Sequence, residues 1–131
     1  WKDFVKNNQD AVMYCFRGGM RSQIAQIWLH EQGVDIKRIK GGYKALRRFL
    51  LDEIERLSEK QTFITLSGLT GIGKTHFINQ YKKHIDLEGL ANHKGSSFGH
   101  EMTPQPTPIN FDNAIALDLM NKENFPGIML A

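Results

Sequence analysis

Short apolar runs alternate with amphipathic stretches along the chain, and the order in which they come predicts the elements. Lys2 to Asp10 is polar apart from Phe4 and Val5 and predicts the end of a helix and a turn. Ala11-Val12-Met13-Tyr14 is an apolar run that predicts a buried strand. From Ser22 the apolar residues Ile24, Ile27 and Trp28 recur at helical spacing over 22–32, and Gly33 suits a left-handed helix cap. Val34 to Ile39 alternates as a short strand does, and Gly41-Gly42 predicts a turn. Tyr43 to Lys60 predicts an amphipathic helix, with Leu46, Phe49, Leu50, Ile54 and Leu57 as its apolar stripe and Arg47, Arg48, Asp52, Glu53 and Glu55 opposite. Thr62–Leu66 is β-branched and aromatic and predicts a buried strand. A helix over 75–83, with Phe77, Ile78 and Tyr81 inward, and a strand over Ile85–Glu88 are expected next. Gly89 to Pro108 reads as a loop, long enough to suggest a binding segment or lid. A helix over Asn110–Asn121, with Phe111, Ala114, Ile115 and Leu119 as its apolar positions, leads to the apolar run Phe125–Ala131, a strand beginning. Strands alternating with helices predict an α/β fold.

Composition narrows the class without naming it. Of 131 residues 40% are hydrophobic and 24% charged, as in a soluble globular protein. No apolar run reaches the ~20 residues that span a bilayer, so no membrane partner is expected. The single cysteine excludes an internal disulfide and a cysteine-rich zinc site, and it suits a reducing cytoplasm. A net charge of +3 permits an anionic partner such as RNA. Lys37, Arg38, Lys40, Lys44, Arg47 and Arg48 are either a solvated face or a patch that contacts RNA or phosphate. The chain starts at Trp1 and stops in an apolar run, so a fragment is expected.

The cysteine stands in Cys15-Phe16-Arg17-Gly18-Gly19-Met20-Arg21-Ser22, between a predicted strand and a predicted helix. Two glycines free the loop to turn its N–H groups toward one anion, and the helix N-terminus is aimed at the same spot. Arg17 and Arg21 add positive charge. A free thiol has a pKa near ~8.5, and such surroundings lower it toward a reactive thiolate. Cys15 is therefore read as a nucleophile in an anion cradle, against the alternative of a small buried cysteine at a strand end.

Gly68-Leu69-Thr70-Gly71-Ile72-Gly73-Lys74-Thr75 satisfies the phosphate-loop pattern, with a predicted strand before it and a helix after it. Glycines let the chain wrap a phosphate closely. Lys74 reaches the outer phosphates, and the Thr75 hydroxyl is of the kind that ligates Mg²⁺. Asp86 and Glu88, on one side of the strand expected there, either approach a metal or substrate or form an edge-strand solvent face. The five histidines lack metal-ligand spacing and are read singly, so no metal site is expected.

Cys15–Ser22 followed by Gly41-Gly42-Tyr43-Lys44-Ala45 at the head of a helix resembles a rhodanese-like domain. Leu69–Thr75, then Asp86-Leu-Glu-Gly-Leu-Ala-Asn-His-Lys-Gly-Ser-Ser-Phe-Gly99, then Gln105-Pro106 follow directly. In that order, over nearly the whole chain, the segments resemble the tRNA 2-selenouridine synthase family. The resemblance implies the C-terminal part of a rhodanese-like domain over 1–60, and after it the N-terminal part of a P-loop α/β domain over 61–131. It also implies a transferase that replaces the sulfur of wobble 2-thiouridine in tRNA with selenium from selenophosphate, through an S-geranylated intermediate made from geranyl diphosphate. Cys15 would then be catalytic, Phe16, Arg17, Gly18, Gly19, Met20, Arg21 and Ser22 would cradle the selenium donor or leaving group, and Gly68–Thr75 would hold a diphosphate. Two other readings stay open. Cys15-x₅-Arg21-Ser22 also fits a cysteine-dependent phosphatase, although Tyr14 stands where a histidine usually precedes the cysteine. A non-catalytic phosphate-loop module carrying a degenerate sulfurtransferase domain is the third.

Overall fold

The computed structural model describes residues 1–96 and 99–130; Ser97 and Phe98, within the Asp86–Gly99 segment, and Ala131 lie outside the described residues. The chain divides into two compact units, Trp1–Phe49 and Leu50–Ala131. The division between the units falls inside a helix (Gly42–Lys60).

The first unit holds α1 (Lys2–Asn7), β1 (Val12–Met13), α2 (Met20–Glu31), β2 (Lys37–Arg38) and the start of α3 (Gly42–Lys60). β1 and β2 pair in parallel, Val12 with Lys37 and Met13 with Arg38. Gly33 takes φ +74 just beyond the end of α2. Its N–H donates to the His30 carbonyl at 2.8 Å and that of Val34 to Leu29 at 2.9 Å, the helix-ending pattern expected of it. Leu29 and Val34 are buried, but Ile24, Ile27 and Trp28, the helical apolar positions of the sequence, are exposed.

The second unit continues from Leu50 of α3 through β3 (Phe63–Thr65), α4 (Lys74–Ile78), β4 (His84–Ile85), α5 (Leu87–Ala91), α6 (Pro108–Asn121) and β5 (Ile128–Leu130). Its sheet is parallel in the order β3-β5-β4. The last strand is thus the central one, with Phe63 opposite Ile128 and Ile85 opposite Leu130. A strand flanked on both sides reads as a continuous apolar run, as Ile128-Met129-Leu130 does. Leu57, Ile85, Leu119 and Ile128 form the core, with Ile54, Phe63 and Ile115 among the residues packed on it. Each such fully buried side chain contributes about 1.5–3 kcal/mol. Thr107 caps α6 by accepting the Asn110 N–H, and Pro108 occupies the first turn.

Several expectations change. The two strands expected to be buried form but are largely exposed, with Val12 and Tyr14 of the run before Cys15, and Ile64 of β3, on the surface. The helix expected over 75–83 ends at Ile78, and of its predicted inward residues only Ile78 is buried. The N–H groups of Gln80 and Tyr81 bond three residues back, to Phe77 and Ile78, so tight turns replace the helix. The strand expected over Ile85–Glu88 stops at Ile85. Asp86 starts α5 instead, its carboxylate accepting the Gly89 N–H at 2.9 Å. A carboxylate that satisfies a helix's first N–H groups outcompetes continued pairing at a strand end. The segment expected as a loop over 89–108 therefore opens with the rest of α5, and His93 pairs with His100 in an antiparallel bridge beyond it. No helix among the described residues is long and apolar enough to cross a membrane.

Candidate functional site

In the first unit the Cys15 loop is built on backbone contacts between glycines. Gly18 has φ +65, and a methyl group there would lie 2.5 Å from the N atoms of Gly41 and Gly42. At Gly42 (φ +61) it would lie 1.9 Å from the Cys15 carbonyl oxygen. Two turns distant in sequence thus touch with no room for a side chain. The N–H groups of Tyr43 and Lys44, orphans of the first turn of α3, donate to the carbonyls of Cys15 and Phe16 at 3.0 Å each. Phe16 stacks on Tyr43 with 6.1 Å between ring centroids. Arg38 of β2 donates to the Gly18 carbonyl at 2.7 Å and to Gln26 at 3.2 Å. Arg38 was legible only as one of a basic run. The signal available was strand alternation, which turns Arg38 to the face opposite Lys37.

The half-buried Cys15 Sγ lies 3.3 Å from the Ser22 hydroxyl, whose single proton has two acceptors within reach, the sulfur and the Gly19 carbonyl 3.0 Å away, and turns to the sulfur when the thiol ionises. Ser22 is buried in the first turn of α2. The Ser22 hydroxyl is the largest influence on the thiol. Partial burial opposes it, and the N–H groups of Ser22, Arg17 and Gly19 support it, lowering the pKa from 9.0 to about 7. Of the surroundings expected to lower the thiol pKa, the hydrogen bonds to the sulfur are the ones that do so, and Arg17 contributes through its backbone N–H. Arg17 and Arg21, with Cys15, Phe16, Gly19 and Met20, line the cavity in front of the sulfur, about 520 Å³ in volume.

In the second unit the Gly68–Thr75 loop follows β3 and leads into α4. Gly71 and Gly73 take φ +83 and +95. Leu69 and Ile72 are exposed, and the Lys74 ammonium donates back to the carbonyls of Gly68 at 3.0 Å and Leu69 at 3.3 Å. Because the strands are parallel, the loop after β3 and the turn after β4 open at the same edge of the sheet, where ligands of open α/β sheets sit. There a cavity of about 470 Å³ is lined by Thr70, Gly71, Gly73, Lys74 and Thr75 on one side and by Asp86, Glu88, Asn92, His93, Lys94 and Glu101 among others. Asp86 and Glu88 do not share a strand face as expected. They nonetheless reach one cavity with the loop, Asp86 as the cap of α5 and Glu88 in its first turn. Of the loop residues, Gly68, Leu69 and Ile72 are not on the cavity wall. The histidine segment was missed by reading histidines singly, for His93 and His100 stand edge to face with ring centroids 5.0 Å apart. No group of three or more His, Cys, Asp or Glu that could hold a metal ion occurs among the described residues.

The sequence model described as the tRNA 2-selenouridine synthase AAA domain matches residues 61–130. Curated proteins named tRNA 2-selenouridine synthase are similar along both units. That of Sulfurovum sp. (strain NBC37-1) is 57% identical over 122 residues, covering 93% of this chain and 34% of the relative. That of Pseudomonas fluorescens is 52% identical over 122 residues, covering 93% and 34%, and that of Shewanella halifaxensis 51% over 124 residues, covering 95% and 34%. No solved structure gives a significant match. The chain spans about a third of the length of the curated relatives it matches. With the family model covering more than half of it and these relatives running through both loops, the chain belongs to the tRNA 2-selenouridine synthase family.

Proposed function

We propose that this chain carries two substrate-binding loops of an enzyme that modifies tRNA, replacing the sulfur of wobble 2-thiouridine with selenium. The single observation behind this reading is the 50–57% identity to proteins of that name, which extends over 93–95% of the chain and so includes both loops. In this reading the Trp1–Phe49 unit is part of a rhodanese-like domain. Its Cys15 thiolate handles the chalcogen, while Arg17, Arg21 and the loop N–H groups hold the phosphate of selenophosphate. The Gly68–Thr75 loop binds the diphosphate of geranyl diphosphate, used to make an S-geranylated intermediate, and Lys74 leaves its own carbonyls for phosphate oxygens. Mg²⁺, if bound with the diphosphate, would be held by the Thr75 hydroxyl and would neutralise phosphate charge there, since Mg²⁺ rarely demands a dedicated protein cage. The tRNA is the macromolecular partner, met by basic surface, in the cytoplasm.

The test uses the full-length parent protein with tRNA bearing 2-thiouridine, geranyl diphosphate and selenophosphate, and reads the wobble nucleoside by mass spectrometry. Selenouridine is expected from the wild type. Cys15→Ser should stall at 2-thiouridine or its geranylated form, and Lys74→Ala should stop geranylation. An unchanged nucleoside with the wild type overturns the reading and returns attention to a phosphatase or a non-catalytic phosphate-binding module.

A further inference from the structure

Opposite the Gly68–Thr75 loop, the wall of the same cavity is a braced turn. The Asn92 side-chain amide, from a residue at φ +51, donates to the Thr103 carbonyl at 2.8 Å and to its hydroxyl at 2.7 Å. The Lys94 N–H donates to the Gly99 carbonyl at 2.8 Å, and the Lys94 ammonium pairs with Glu101 at 3.0 Å. Between these ties stands His93, half-buried and on the cavity wall. Its own N–H donates to the Glu88 carbonyl at 3.0 Å, and its ring meets His100 at 88°. The Gly95 N–H donates to His93 Nδ1 at 3.0 Å.

That last bond settles what the ring can offer. A nitrogen that accepts a hydrogen bond carries no proton, so with Nδ1 taken by Gly95 the ring nitrogen left to donate is Nε2. A protonated Nε2 donates to an anion and does not ligate a metal. Gly95 is suited to hold this arrangement, because at φ +64 a methyl group there would lie 2.5 Å from a Glu88 carboxylate oxygen. The wall also carries Asp86, Glu88 and Glu101, whose carboxylates repel an anionic ligand. The Lys94 ammonium on the same wall is already paired with Glu101, so an anion in this cavity gains from a further donor on the side away from Lys74, and the Nε2–H of His93 supplies one.

We infer that His93 is a phosphate-binding residue of this cavity, donating its Nε2–H to an oxygen of the diphosphate held by the Gly68–Thr75 loop. The inference rests on the phosphate-binding reading of that loop. It makes the turn after α5 the second half of a clamp whose first half is Lys74, and it gives His93 a ligand-binding role that no histidine spacing revealed.

The test is calorimetric titration of the full-length parent protein with inorganic pyrophosphate. His93→Ala should weaken binding ~10-fold or more, in the range of a hydrogen bond to a charged group. His93→Gln, whose amide nitrogen reaches the position of Nε2, should recover most of the loss, and His93→Asn, which mimics Nδ1, should not. In ¹⁵N-histidine spectra the His93 ring should show the Nε2-protonated form, and its Nε2 signal should move when pyrophosphate is added. Equal weakening by Gln and Asn, or wild-type affinity in all three variants while Lys74→Ala binds weakly, overturns the role of His93 and leaves the loop reading standing. No pyrophosphate binding by the wild type overturns both. Repeating the titration with geranyl diphosphate and with ATP identifies which molecule brings the phosphates, and dependence on His93 with either supports the inference.

Discussion

The two loops resemble each other in sequence logic and differ in how they are held. Each follows a strand, each is rich in glycine and each ends in a helix. The Cys15 loop is fixed from behind: Gly18 rests on Gly41 and Gly42, and the first N–H groups of α3 are spent on the Cys15 and Phe16 carbonyls. Ser22, beside the sulfur, is buried. The Gly68–Thr75 loop has no such backing. Methyl groups at Gly71 and Gly73 would meet nothing within 4 Å, Leu69 and Ile72 are 81% and 68% exposed, and the lysine is occupied by the loop's own carbonyls. A thiolate must be stabilised before any substrate arrives, so its N–H donors need to be in place beforehand. A loop that wraps a phosphate draws its order from the ligand and pays little by staying open.

The largest effect that tests this contrast comes from one methyl group placed in each loop. Gly42→Ala forces Cβ against the Cys15 carbonyl oxygen and should cost ~3 kcal/mol or more, in the range of severe overpacking with backbone strain. Limited proteolysis of the full-length parent should then cut within 1–49 while leaving the second unit protected. Gly71→Ala meets open space and should cost only the ~1–2 kcal/mol of a left-handed residue with a side chain. Comparable losses from the two substitutions would erase the distinction between a backed loop and an open one.

Ser22→Ala is expected to have a smaller effect on stability and a clear one on chemistry. The Ser22 hydroxyl is the leading cause of the lowered Cys15 pKa, so its removal should raise that pKa from about 7 toward the ordinary thiol value of 9.0. Thiolate fraction grows as pH rises through the pKa. The rate of iodoacetamide alkylation should therefore be half-maximal near pH 7 in the wild type and at higher pH in the variant. Coincident profiles would mean that something other than this hydroxyl controls the thiol, with Arg17 and Arg21 the next to substitute.

Much of this was legible in the residues, and what was not has a common cause. Local pattern sufficed for the place of the strand before Cys15, though not for its burial, since Val12 and Tyr14 are exposed, and for Gly33 ending α2 and the apolar stripe Leu50, Ile54 and Leu57 of α3. Each is decided by neighbours within a turn or two. Phe49, placed on the same stripe, is 47% exposed, because which flank of a broad stripe is covered depends on the partner. The central position of β5 depends on strand order, which no local pattern encodes. Asp86 was read as a strand residue because Ile85 and Leu87 flank it; the Gly89 N–H it caps decided otherwise. Gly41-Gly42 was legible as a turn, but its contact with Gly18 joins segments more than twenty residues apart. The cavity wall at His93 was hidden for the same reason, since it needs His100, Glu101 and Thr103 brought back across a turn.

Away from both loops, the second unit carries a charge network whose residues line neither of the two loop cavities. Glu123 accepts from Arg56 at 2.9 Å and from Lys60 at 3.1 Å, while Arg56 also donates to Glu53 at 2.6 Å. The Arg56 hydrogen bond first and the Lys60 one second hold the Glu123 carboxyl down to about 2, against an ordinary 4.5. A carboxyl lowered on folding stabilises the folded state above its ordinary pKa, and that contribution is lost as pH falls through the folded value. Wild type and Glu123→Gln should therefore differ in thermal midpoint at neutral pH and converge between about pH 4.5 and pH 2. The difference should be small, under ~5 °C, because partly solvated ion pairs contribute little. Pyrophosphate affinity at neutral pH should not change. Unchanged affinity is what is expected of a loop that takes its order from its ligand and not from the charge network of its own unit. A drop in affinity with Glu123→Gln would show that the Gly68–Thr75 loop is braced through the fold after all.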